Sequence, residues 1–68
     1  MSDHIYKVVE IVGTSDQSVS AAVEAAITKA SASLRNLRWF EVAQIRGGIA
    51  NNKASHYQVT LKIGFTLE

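Results

Sequence analysis

Every second residue from Tyr57 to Leu67 is apolar. Tyr57, Val59, Leu61, Ile63, Phe65 and Leu67 share one parity, and His56, Gln58, Thr60, Lys62, Gly64 and Thr66 the other. A period of two sustained this long marks a β-strand with one face turned to a core. A lone strand cannot bury its own apolar face, so the rest of the chain must supply neighbouring strands and a covering layer.

Those elements can be read in order. IYKVVEIV, Ile5 to Val12, is rich in β-branched residues and reads as a first strand. GTSDQ then stops it. Thr14 with Gln17 has the form of a capping box, Ser15 is an equally good N-cap, and Asp16 suits the positive end of a helix dipole. Val19, Ala22, Val23, Ala26, Ile27, Ala30 and Leu34 recur at helical spacing, on a narrow alanine-rich face suited to lying closely on a sheet. The spacing predicts a helix from about Asp16 to Arg35, with Asn36 in the left-handed position that follows a helix end. RWFEVAQIRGGIA, Arg38 to Ala50, is a second strand. Asn51 and Asn52 tolerate the positive φ angles of a tight hairpin joining it to the last.

Register then decides where Trp39, the only Trp, points. Phe40, Val42 and Gln44 lie on one side of their strand, with Trp39, Glu41, Ala43 and Ile45 on the other. If Phe40 and Val42 join the apolar face, a two-residue turn pairs Glu41 with Lys62, Val42 with Leu61 and Ile45 with Gln58. A bulge at Gly47-Gly48 would shift these pairs while keeping the faces. Trp39 then falls on the side away from the helix, beside Gln58, Thr60 and Lys62. Three readings of that position stand open: a contact with another subunit, a stacking platform for a planar ligand, or a slipped register that returns Trp39 to the core. Gln58 is likewise either an ordinary solvent-facing strand residue or a ligand contact.

Composition narrows the classes. Sixty-eight residues make a single domain over residues 1–68. A chain of this size buries only about 60% of the surface its unfolded form exposes, so it needs a staple or a partner. It has no Cys, and His4 and His56 are its only histidines, so neither a disulfide nor a structural metal is expected and self-association remains. The net charge is +1, and the seven basic residues are scattered rather than clustered in the stripe that nucleic-acid binding requires. MSDHIYK lacks the basic and apolar regions of a secretory signal, and no apolar run approaches the about 20 residues of a membrane span. A cytoplasmic protein without nucleic-acid or membrane partners is expected. No cysteine nucleophile exists, no Ser-His-acid set can be assembled, and no acid pair has the spacing for general acid–base work. An enzyme is not expected.

Four segments in order resemble one family. VEIVGTS at Val9 to Ser15, WFEV at Trp39 to Val42, IRGGI at Ile45 to Ile49 and YQVTLKIGF at Tyr57 to Phe65 make the chain similar to the dodecins, small flavin-binding proteins that assemble as hollow dodecamers. The likeness covers nearly everything from His4 onward. It implies an α+β fold of β-α-β-β order, a three-stranded antiparallel sheet wrapped around one helix. It also implies that Trp39 stacks on the flavin ring, that Gln58 hydrogen-bonds its polar edge, and that Arg46 lies near the ligand. His4 and Tyr6 would line the site from the first strand, His4 towards a phosphate tail. Trp39 and Gln58 stand about 20 Å apart along the sheet, longer than an isoalloxazine ring, so the site would be shared between chains.

The implied function is non-catalytic flavin binding, storage and photoprotective quenching in a homododecamer. FMN is the expected ligand, with riboflavin, lumichrome and FAD as alternatives. The competing expectation is a structural or adaptor homo-oligomer whose Trp39 face is only a subunit contact. Two departures limit the likeness. Arg38 stands where relatives often carry an acid, and Thr66 replaces an arginine implicated elsewhere in coenzyme A binding, so that activity is not carried over.

Overall fold

The computed structural model describes residues 5–67, and its elements follow the predicted order. Strand β1 spans Tyr6–Ser15, helix α1 Val19–Ser31, β2 Leu37–Ala50 and β3 Lys53–Thr66. All three strands form one antiparallel sheet in the order β1-β3-β2, with the strictly alternating strand in the middle. The central position is the one in which alternation is most demanded, because β3 has neighbours on both edges and α1 against one face.

Val59, Leu61 and Ile63 of β3 are buried against Ala22, Ala26 and Ala30 of α1. Val9, Ile11, Val23, Ile27, Leu34 and Leu37 close the sides of this core. The alanine stripe lets the helix approach very closely. A methyl group on Gly13 of β1 would run into the Ala22 carbonyl and the Ala26 side chain, so glycine is what permits the contact. Helix α1 packs on β1 and β3, whereas the helix-side residues of β2, Phe40, Val42 and Ile45, stay exposed.

The helix is shorter than its periodicity suggested. Ser18, rather than Thr14 or Ser15, is the N-cap: its Oγ accepts from the Ala21 backbone N–H at 2.9 Å. Thr14 and Ser15 belong to β1, and Ser15 Oγ accepts from the Gln17 N–H at 3.0 Å, which turns the chain from strand to helix. No capping box forms, since the third helical position is Ala21, which has no side chain to reciprocate. At the other end Ala32 caps in the right-handed region. Asn36 does take a left-handed φ of 62°, but in the link to β2, where its carbonyl accepts from the Thr66 N–H. Asn51 and Asn52, with φ of 54° and 64°, form the expected hairpin turn.

The β2–β3 register confirms two predicted pairs and corrects a third. Glu41 lies opposite Lys62 and Val42 opposite Leu61, but Gln58 faces Arg46 rather than Ile45. The register shifts at three places, leaving Arg38 and Ala43 on β2 and Ser55 on β3 without cross-strand partners. The shift at Ala43 exchanges faces downstream. Gln44 pairs with Thr60 on the side away from the helix, and Ile45 pairs with Val59 on the helix side, the reverse of simple alternation.

Candidate functional site

The sheet surface away from α1 carries the chemistry, and strand pairing places it in rows. At one end Trp39 of β2 faces Gly64 of β3, with Val8 of β1 beyond it. The benzo half of the indole sits directly over Gly64, in space that a Cβ there would occupy. Tyr6 meets the same indole edge-on, ring centres 6.2 Å apart and planes at 61°. This arrangement fixes the ring from below and at its rim, yet Trp39 remains 41% exposed. Slipped register is therefore excluded: Trp39 is not in the core.

At the other end Gln58 of β3 lies between Thr14 of β1 and Arg46 of β2. Arg46 Nε donates to Gln58 Oε1 at 2.6 Å. Two residues along β3, the His56 ring covers Gly48, again in space a Cβ would fill, and its Nδ1 lies 3.2 Å from Ser55 Oγ. Between the two ends, Lys62 is flanked by Glu10 and Glu41 and Thr60 by Val12 and Gln44.

Of the five expected site residues, Trp39 and Tyr6 are therefore together at one end, and Gln58 and Arg46 together at the other. His4 lies outside the described residues. Gly64 and Gln58 are six positions apart on β3, about 20 Å. A hollow of about 170 Å³ lined by Ile27, Leu37, Arg38, Trp39, Phe40 and Ile63 opens on the helix side of the sheet, not on the face that carries the indole. Thr14 and His56 were missed as site neighbours by sequence reading. Thr14 was absorbed into a supposed cap, and the place of His56 depends on the pairing of β3 with Gly48. Thr66, at one of the two departures, is buried, and its Oγ1 has no hydrogen-bond partner among the described residues.

Among the described residues no group of three or more His, Cys, Asp or Glu side chains is placed to hold a metal. No helix among them is long and apolar enough to cross a membrane.

Comparison with known proteins gives one consistent result. The family model described as Dodecin matches residues 5–68. The dodecin of Thermus thermophilus is 50% identical over 64 residues, covering 94% of this chain and 93% of that protein. Among solved structures, dodecin from Streptomyces coelicolor matches with a TM-score of 0.93 and 54% identity, covering 100% of this chain and 97% of the other. Dodecin from Streptomyces davaonensis matches at 0.92 and 46%, covering 98% of each.

Proposed function

Because the chain belongs to the dodecin family, we propose that it is a non-catalytic flavin-binding protein that stores and quenches flavin in a homododecamer. Dodecins are a family of small flavin-binding proteins whose members form homo-oligomers. The observation that carries the reading to this chain is the indole seated on Gly64, with one side backed by the sheet and the other open. A flat, polarisable ring held this way is a stacking surface, worth about 0.5–1.5 kcal/mol beyond simple burial. Gln58 supplies a donor and an acceptor together, matching the alternating carbonyl and N–H groups of the flavin's pyrimidine edge.

One chain offers these two groups about 20 Å apart. A flavin that uses both takes its Trp39 from one subunit and its Gln58 from another, so the site exists only in the assembly. Stacking against indole, and against a second flavin across a symmetry axis, quenches the excited state by electron transfer. It also leaves little room for a substrate beside the reactive ring nitrogen. FMN is the proposed ligand. Arg46 spends Nε on Gln58 and keeps its two Nη groups for an anion, and His4 is the second candidate for the phosphate.

Purified protein is expected to be yellow, with a flavin absorption band, and mass spectrometry of the released chromophore is expected to show FMN. Titration with FMN and riboflavin should quench the fluorescence of both, with only the FMN affinity falling as salt screens the phosphate contact. Colourless protein that leaves flavin fluorescence unchanged would return the Trp39 face to a plain subunit contact.

A further inference from the structure

Gln58 has a symmetric shape and two chemically opposite ends, so its value as a recognition group depends on which end faces a ligand. A carboxamide free to rotate offers either end. In this chain it is not free. Arg46, directly opposite Gln58 across the β2–β3 ladder, donates from Nε to Oε1 at 2.6 Å. A guanidinium carries only donors, so it accepts one orientation of the amide and repels the other, in which N–H would face N–H. The shifts in register make this pairing possible. Without the extra Ser55 on β3, Arg46 would not stand opposite Gln58.

From this contact we infer that Arg46 is a positioning residue for flavin-edge recognition, locking the Gln58 carboxamide with its N–H₂ turned to a flavin carbonyl. The second lone pair of Oε1 then accepts from the flavin ring N–H, so the two ends of Gln58 meet their complements in a single orientation. Arg46 also polarises the amide through its charge, which strengthens the donor it presents. This role is separate from any contact with a phosphate, and it applies to flavins that have none. The inference rests on the flavin reading above and adds to it the orientation in which the ring edge is read.

Lumichrome is the probe, because it keeps the pyrimidine edge but has neither ribityl chain nor phosphate. Fluorescence-quenching titrations compare the unmutated assembly with Arg46→Met, which keeps an apolar stem without donors, and with Gln58→Ala and the double variant. Arg46→Met should weaken lumichrome binding about tenfold, within the coupling range of contacting side chains, and should cost almost nothing further once Gln58 is Ala. Arg46→Lys, which restores a donor, should recover part of the loss. The carbonyl stretch of bound lumichrome should rise in frequency in Arg46→Met as its hydrogen bond weakens. Unchanged lumichrome affinity in Arg46→Met, or an equal loss in the Gln58→Ala background, would overturn the inference. A crystal structure of ligand-free Arg46→Met tests it apart from any flavin. The Gln58 carboxamide should leave its present position, and one that stays put would refute the locking role even if no flavin binds.

Discussion

Trp39 and Gly64 form a single unit at the residue scale: the glycine is the seat of the indole, and any larger residue would lift the ring from the sheet. Because the ring lies on the surface and not in the core, Trp39→Ala should abolish or greatly weaken flavin binding while light scattering shows the assembly mass unchanged. Loss of assembly before loss of ligand would favour the adaptor reading. Gln58→Ala should weaken both FMN and riboflavin by about 1–3 kcal/mol, since the ring edge loses a partner while partly desolvated. The loss should be similar for the two, because both present the same edge; an unchanged affinity in a fluorescence titration would remove Gln58 from the site. The pairing of Glu41 with Lys62 agrees with the register of a two-residue turn because the shifts at Ser55 and Ala43, on opposite strands, offset each other. The pairing of Gln58 with Arg46 was not legible in the sequence: the glycines at Gly47-Gly48 suggested a bulge there, and the register does shift beside Gly48, but the extra residue is Ser55 on the opposite strand.

Helix α1 lies where it does at the element scale because two small-residue features meet. Gly13 removes a Cβ from β1, and the alanine stripe removes bulk from the helix, so the backbones come into direct contact. Gly13→Ala would push a methyl into the Ala22 carbonyl, which cannot swing aside as a side chain can. The expected cost is about 1–3 kcal/mol of overpacking, read as a lowered midpoint in chemical unfolding. Ser18→Ala should cost about 1 kcal/mol by the same measurement, because the Ala21 N–H loses its acceptor. Thr14→Ala, at the cap position that the sequence suggested, should cost clearly less, and equal costs would contradict the observed cap. The overestimate of helix length has a physical origin. Leu34 does pack on the core, but from the link after Ala32, so apolar period alone extended the helix past its true end.

The whole molecule is not shaped like a self-sufficient domain. Its radius of gyration is 14.2 Å, against about 11 Å for a compact chain of this length. Its extents of 56 × 20 × 13 Å describe a thin slab whose β2–β3 hairpin runs on beyond the helix. Phe40, Val42 and Ile45 on the helix side of β2 stay exposed among the described residues, and Ile49 near the hairpin tip is 82% exposed. Apolar surface on this scale marks an interaction face, which the proposed assembly would cover. The proposed homododecamer should scatter light as about twelve chains, with a thermal midpoint that rises with protein concentration, as association coupled to folding demands. A folded monomer at micromolar concentration would refute this.

What the sequence determined by itself was every feature that depends on local periodicity. The strict alternation of Tyr57 to Leu67 marked the central strand, the alanine spacing marked the helix, and paired asparagines marked the turn. Those signals also placed Trp39 on the correct face, since only the parity of Phe40 and Val42 with the apolar face was needed. Tertiary structure decided the rest. The shift at Ala43 reversed Gln44 and Ile45, because a bulge shows only when two strands are laid side by side. The true N-cap emerged from Ser15 turning the chain at the end of a β1 held to β3 by pairing. The Arg46–Gln58 contact joins residues twelve positions apart, and no spacing rule written along one strand can see across the ladder.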